Sequence, residues 1–154
     1  MGERNECWKS NSPLFITIRA SQYFLGFSFF GTVGSWTADQ NYYVPHVHMV
    51  QSIDDAATVS AGYVIATLGK FEADGDVLGG INLDPLGGPI ASIMSAIGGS
   101  AGGAASTTEF FDFEPYGLYV NQGDTLLVSI LANGAGGDCN WLMDCRLTVI
   151  PTFA

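Results

Sequence analysis

Apolar and polar positions alternate along most of this chain with a period of two residues. Between Leu14 and Ala20 every second residue is apolar, whereas Thr17 and Arg19 fall between them. Successive side chains of a β-strand point to opposite faces of the sheet, so this pattern predicts half-buried strands. The predicted strands cover residues 14–20, 24–33, 42–53, 58–71, 107–113, 117–120 and 125–132, with a last strand through 141–149.

The last two of these strands show the alternation most clearly. One is predicted to turn Leu126, Val128 and Ile130 to one face. The inward positions expected in the other are Trp141, Met143, Cys145, Leu147 and Val149. About eight strands, glycine-rich turns and little helix predict an all-β fold, an antiparallel β-sandwich of the jelly-roll type. We therefore expect an N-terminal arm over residues 1–13 and one β-sandwich domain over residues 14–154.

The segment 75–106 departs from the alternation and is predicted to be a long Gly-rich insert. It holds nine of the 20 glycines and carries no charge after Asp84. Residues 89–97 fit two helical turns, with Pro89 at the start and glycines at the end. Exposed apolar patches often mark a contact, so a partner-binding surface is one interpretation and ordinary core is the other. The residues expected to bind a partner are Trp8, Ile90, Ile93, Met94 and Ile97.

Composition narrows the classes of partner. The chain has 154 residues, a net charge of −10 and only 13% charged residues, about half of the ~25% usual in soluble proteins. A surface so poor in charge predicts burial in an assembly. The acidic balance argues against nucleic acid, whose binding depends on Lys and Arg. No apolar run reaches the length of a membrane span, and the polar N-terminus predicts synthesis in a host cytoplasm without a signal peptide.

Few residues suggest chemistry. His46 and His48 lie two apart on one face of a predicted strand, as in cupins, but no third histidine exists and Gln51 stands where a carboxylate is needed. A catalytic metal takes about three protein ligands, so we expect no metal, no cofactor and no enzyme. Cys7, Cys139 and Cys145 fit no metal spacing and are expected to be reduced thiols.

Two weaker binding motifs remain open. Acidic residues around Gly75 could bind calcium through oxygen ligands, although a solvated turn is favoured; these residues are Glu72, Asp74 and Asp76. Trp36, Tyr42 and Tyr43 could form a platform for a sugar, although aromatic residues in strands are more often core.

The segment from Leu118 to Ile130, with Asn-Gln-Gly-Asp at residues 121–124, resembles the Gly-Asp strand pair of C1q and tumour-necrosis-factor jelly rolls. Viral and phage surface jelly rolls share this pattern. The resemblance implies trimers and surface roles.

We therefore expect a non-enzymatic structural subunit of a virus particle, a decoration or cement protein on the outer surface of a tailed-phage capsid. Its expected partners are the major capsid protein, other virion subunits and its own copies in a homotrimer. The alternative is a carbohydrate- or receptor-binding module of a tail fibre, and a cupin-like metal enzyme is third.

Overall fold

The computed structural model describes residues 13–54, 59–71, 76–78, 81–84, 88–97, 105–115 and 117–152. Within these residues the chain forms eleven β-strands and no helix. The strands are β1 (Leu14–Phe24), β2 (Phe29–Thr37), β3 (Tyr42–Asp54), β4 (Val59–Phe71), β5 (Asp76–Leu78), β6 (Ile81–Asp84), β7 (Gly88–Ile97), β8 (Ala105–Asp112), β9 (Leu118–Val120), β10 (Thr125–Gly136) and β11 (Cys139–Pro151). The predicted all-β class is confirmed.

Two antiparallel sheets pack face to face. One has the order β1-β11-β3-β8, with the short β9 paired to β3, and the other has the order β2-β10-β4-β7. Among the long strands, β1, β2, β3 and β4 follow one another in alternate sheets, as do β7 with β8 and β10 with β11. This interleaved order of eight strands is typical of a jelly roll. The expected antiparallel β-sandwich is therefore the observed architecture.

The core lies between the sheets and is filled by the inward positions of the alternating pattern. In β11, all five residues expected to point inward are buried, and so are Leu126, Val128 and Ile130 of β10. Trp141 and Phe24 are the largest fully buried side chains, and their rings stack with centroids 6.2 Å apart. The period-two pattern thus correctly predicted which face of each of these strands is buried.

The predicted strand 24–33 is wrong in its boundaries, because a tight turn interrupts it. β1 ends at Phe24 and β2 begins at Phe29, with one bridge between Leu25 and Ser28. Gly26 and Phe27 both have positive φ, at 63° and 55°. This left-handed backbone lets the chain cross from one sheet to the other while the Phe27 ring stays fully buried.

The helix predicted over residues 89–97 is also wrong, since these residues form β7. The strand pairs with β4, and its inward residues are Ala91, Ile93 and Ser95. The spacing of the large apolar residues suggested a helix only because two of the inward positions are occupied by small residues. In the structure, the backbone of β7 pairs with β4, and the Ile93 side chain packs in the core.

Much of the predicted insert 75–106 therefore belongs to the sandwich itself. Residues 88–97 complete the four-stranded sheet, and β8 pairs with β3 in the other sheet. In sequence, β5 and β6 lie between β4 and β7, and they pair with each other in a separate two-stranded sheet. Of the predicted arm 1–13, residues 1–12 lie outside the described residues. In the part of the chain that is described, no helix is long and apolar enough to span a membrane.

Candidate docking face

The outer face of the four-stranded sheet is the most unusual surface of the molecule, and we call it the docking face. Its strands β2, β10, β4 and β7 contain a single charged residue, Lys70. Lys70 points inward, is buried, and donates a hydrogen bond to the Tyr119 carbonyl at 2.8 Å. The outward positions described in these strands therefore carry no charge at all.

One row of this face is apolar across all four strands. The register places Phe30 beside Leu131, Leu131 beside Ile65, and Ile65 beside Met94. Phe30 is 84% exposed, Met94 59% and Leu131 39%, while Ile65 is half-buried between its neighbours. Directly paired side chains stand about 5 Å apart, so the four form a continuous apolar stripe, which we call the apolar row.

The next row consists only of hydroxyl side chains. Thr32, Ser129, Thr67 and Ser92 stand side by side in the same order of strands. The hydroxyls of Thr32 and Ser129 lie 3.4 Å apart, within hydrogen-bond distance. Short hydroxyl side chains leave the surface flat and can donate or accept a hydrogen bond without carrying charge. Another protein surface can therefore approach this row closely without burying an ion.

A shallow apolar groove extends the apolar row toward the end of the sheet. Met94 and Ala96 of β7 line it together with Tyr63 of β4 and residues 133–135 of β10. Two of these lining residues are hydrogen-bonded, since the Asn133 side chain donates to the Tyr63 hydroxyl at 3.4 Å. The groove gives the otherwise flat face a depression into which a partner side chain could insert.

The opposite outer face, on the five-stranded sheet, is different in character. Arg19 donates hydrogen bonds to Asp144 at 2.8 and 3.4 Å, and Arg146 adds a third at 3.3 Å. Apolar side chains such as Phe15 and Leu142 are exposed there too, at 81% and 47%. Because these apolar groups stand among charges, they form no uninterrupted row.

The structure separates the residues that the sequence grouped as partner-binding. Met94 lies in the apolar row of the docking face. Ile93 is 2% exposed and belongs to the core of its own sandwich, and Ile90 packs against that core from the edge. Trp8 and the side chain of Ile97 lie outside the described residues. Binding of a partner by this segment stays a prediction, and Ile93 is not on the surface that would make the contact.

Sequence reasoning missed Phe30, Ile65 and Leu131 because each occurs in a different strand. Their common signal is that an outward position, expected to be polar, is apolar in three alternating strands. Only the register shows that these positions share a row with Met94.

The two histidines of His46-Val47-His48 both face outward on β3 and share the Phe110 ring as a neighbour, but His46 lies beside two carboxylates as well. His46 Nε2 lies 3.5 Å from Asp112 Oδ1 and 3.9 Å from Glu114 Oε2. His48 packs near the ring of Phe110, with centroids 6.3 Å apart. Sequence reasoning missed the two carboxylates beside His46 because Asp112 ends β8 and Glu114 follows it, far along the chain from β3.

The aromatic residues considered for sugar binding do not share a surface. Trp36 and Tyr42 both point inward, with ring centroids 5.4 Å apart, and Tyr42 is buried. Tyr43 faces outward and packs against Tyr119 at 5.2 Å. Of the acidic residues considered for calcium, Glu72 and Asp74 lie outside the described residues, as does the side chain of Asp76.

Burial makes two of the cysteines poor nucleophiles. Cys139 and Cys145 are both buried and free. Loss of solvation raises the pKa of the Cys139 thiol to about 11 and that of the Cys145 thiol to about 12. A thiol reacts as its thiolate, so neither is activated for chemistry. Cys7 lies outside the described residues.

No protein-family model matches the sequence, and a comparison with curated proteins gives no match. Solved structures do resemble the fold. A structure of Bacillus endospore appendages, described as disulfide-linked pili, is 14% identical over 90% of this chain and 92% of its own, with a TM-score of 0.38. A chain in the structure of infectious bursal disease virus, Gt strain, is 15% identical over 92% of this chain, with a TM-score of 0.47. The decameric BFDV capsid protein is 7% identical over 92% of this chain and all of its own, with a TM-score of 0.41.

This chain covers 33% of the length of the infectious bursal disease virus chain. The structural neighbours thus include viral proteins, but a CocE/NonD family hydrolase from Staphylococcus aureus is also among them. At these identities and TM-scores the likeness concerns the fold and does not choose between functions.

Proposed function

We propose that this chain is a non-enzymatic structural subunit of a virus particle, a decoration or cement protein on the outer surface of a tailed-phage capsid. The observation that carries the proposal is the uncharged docking face with its apolar row. Exposed apolar patches of this kind mark contacts between proteins. The chain's net charge of −10 disfavours a position against packaged nucleic acid and favours the outside of the shell.

A second copy of the same chain is the occupant that charge favours for the docking face. Two copies that each carry −10 repel one another wherever their acidic surfaces meet. The described outward positions of the four-stranded sheet add nothing to that repulsion. A contact between copies through this face therefore costs less electrostatic energy than a contact between their acidic surfaces.

The face is also large enough for a specific contact. Four strands spaced by ~4.8 Å and about nine residues long at ~3.3 Å per residue cover roughly 600 Å². Burial of that area on each of three copies removes about 1,800 Å² from water in total, within the size range of specific interfaces. We expect a homotrimer in which the docking faces of three copies meet around a threefold axis, and the assembled trimer then sits on the major capsid protein.

Two leucines provide a matched test. Leu131 stands in the apolar row and is 39% exposed, whereas Leu142 stands on the opposite outer face and is 47% exposed. Sedimentation equilibrium of the wild-type chain at micromolar concentration should give a mass near three times 16.3 kDa. Leu131→Lys should weaken association by roughly 30-fold or more, since a buried leucine contributes about 2 kcal/mol and the buried ammonium adds a further cost. Leu142→Lys should keep the wild-type mass.

A wild-type chain that stays monomeric, or equal effects of the two substitutions, would contradict the role of the docking face. Circular dichroism of both variants checks that the sandwich is intact. The virion role is tested separately by mass spectrometry of purified particles from the source of this sequence. Many copies per particle, with antibody binding to intact particles, are the expected result. Absence from the particles would overturn the virion role even if the oligomer forms.

A further inference from the structure

Three potential metal ligands converge at the edge of the five-stranded sheet. His46 lies on β3, Asp112 ends β8, and Glu114 follows in the next turn. The antiparallel register pairs His46 directly with Asp112. One ligand atom from each of the three side chains lies within 4.8 Å of the other two.

The spacing of these atoms is close to that of a metal centre. Metal–ligand bonds of about 2.0–2.2 Å in a tetrahedral site place the ligand atoms roughly 3.3–3.6 Å from one another. His46 Nε2 lies 3.5 Å from Asp112 Oδ1 and 3.9 Å from Glu114 Oε2. The carboxylate oxygens of Asp112 and Glu114 lie within 4.8 Å of each other, and both side chains are exposed.

The backbone around the cluster is held in place by hydrogen bonds. Phe113 N donates to the Pro45 carbonyl at 2.9 Å, which fastens the turn after β8 to β3. Glu114 N donates to Asp112 Oδ1 at 3.0 Å. On the other side, the Phe110 ring packs against the imidazole of His46 with centroids 5.2 Å apart. These contacts hold the backbone that carries Asp112 and Glu114, and the imidazole of His46, at the edge of the sheet.

We propose that His46, Asp112 and Glu114 form a binding site for a divalent transition-metal ion, with Zn²⁺ as the representative. Two carboxylates that converge on one imidazole repel each other, and a divalent cation removes that repulsion. A nitrogen and two carboxylate oxygens suit Zn²⁺ or Mn²⁺ better than Mg²⁺, which prefers oxygen ligands alone. The site supplies the third ligand whose absence from the sequence pattern argued against a metal, and His48 has no part in it.

A bound ion would have a structural effect at this position. It would join β3 to the turn 112–115 at the edge of the sheet, where His46 and Asp112 form the last pair of the β3–β8 ladder. Three protein ligands leave a fourth position for water. Since binding stabilises the folded state by mass action, the ion should raise the thermal midpoint of unfolding.

The test is calorimetric titration of tag-free, chelator-treated protein with ZnCl₂, paired with thermal unfolding in ZnCl₂ and in MgCl₂. A Cys7→Ser background removes the one thiol that lies outside the described sandwich. We expect one saturable zinc site per chain and a higher thermal midpoint in zinc but not in magnesium. His46→Ala, Asp112→Asn and Glu114→Gln should each weaken binding by about 10-fold or more.

His48→Ala is the matched control, since it removes a histidine from the same face of the same strand, two residues away. It should bind zinc like the background protein. No saturable binding below about 100 μM overturns the proposal, as does binding that survives Asp112→Asn or that is lost equally in His48→Ala. The latter two results would place the ion elsewhere. If His46→Ala fails to fold, the isosteric Asp112→Asn and Glu114→Gln variants still decide the outcome.

Discussion

Neighbouring residues of β7 have opposite roles, although both are large and apolar. Ile93 is 2% exposed and lies in the core, whereas Met94 is 59% exposed in the apolar row. Their side chains point to opposite faces because adjacent residues of a strand always do. Only every second residue of β7 can therefore contact a partner at the docking face.

Substitution of these two residues by aspartate should separate folding from binding. Ile93→Asp buries a carboxylate in an apolar core and should lower the free energy of unfolding by roughly 4 kcal/mol or more. Met94→Asp should change it by less than about 1 kcal/mol, since exposed substitutions have small effects, yet should weaken self-association. Urea denaturation followed by tryptophan fluorescence measures the first effect and sedimentation the second. Similar loss of stability in both variants would show that Met94 is also core.

At the scale of the strands, one buried amide joins the two sheets. Gln51 of β3 is fully buried and accepts a hydrogen bond from Trp141 Nε1 at 2.8 Å in its own sheet. Its amide nitrogen donates to Ser95 Oγ at 2.9 Å and to the Val64 carbonyl at 3.3 Å, both in the opposite sheet. Ser95 in turn donates to Thr107. This network explains why two polar residues are tolerated at inward positions.

Removal of this amide should destabilise the sandwich even when the replacement is apolar. Gln51→Leu leaves the Trp141 indole N–H without its buried acceptor and deprives Ser95 of a donor, and each orphaned group costs about 1–3 kcal/mol. We expect the free energy of unfolding to fall by about 2–4 kcal/mol in urea denaturation. Gln122→Leu, at an exposed turn position, is the control and should change it by about 0.5 kcal/mol or less. A neutral or stabilising Gln51→Leu would mean that the network contributes no net stability.

At the scale of the whole molecule, charge is kept to one side. The four-stranded sheet turns an uncharged face outward, while ion pairs and histidines occupy the outer face of the five-stranded sheet. Two acidic residues of this region, Asp144 in β11 and Asp138 just before it, accept hydrogen bonds. Asp138 accepts hydrogen bonds from Gly26 N at 2.8 Å and from the Tyr23 hydroxyl at 3.0 Å, and these bonds lower the pKa of its carboxyl. The hydrogen bond from Arg19 lowers the pKa of Asp144 in the same way.

These shifts predict a loss of stability in acid. A carboxyl whose pKa is lower in the folded state stabilises the fold above its unfolded value, here near 3.8, and that stabilisation disappears as pH falls through the folded value. The free energy of unfolding should therefore fall below about pH 4, and an Asp138→Asn/Asp144→Asn double variant should show a shallower decline. Chemical denaturation between pH 2.5 and 7 measures this. Asp54→Asn/Glu109→Gln removes the same charge elsewhere and should keep the wild-type slope; a double variant with that same slope would contradict the assignment.

The sequence by itself determined the class of fold and the buried face of its strands. Alternation depends only on the geometry of an extended chain, so Trp141, Met143 and their neighbours in β11 could be placed inside without knowledge of the rest. The same rule was obscured in β7, where Ala91 and Ser95 occupy inward positions and the larger residues imitate helical spacing. Gly26 and Phe27 were also missed, because a turn of two left-handed residues leaves no trace in hydrophobic periodicity.

Only the tertiary structure decided which residues stand together on each face. Phe30, Ile65, Met94 and Leu131 form one row because β2, β10, β4 and β7 pair in that order and register. His46 meets Asp112 and Glu114 for the same reason, through the pairing of β3 with β8. Spacing along a strand encodes the face on which a side chain lies. Its neighbours across the sheet depend on hydrogen bonds between segments far apart in the chain, which local spacing does not specify.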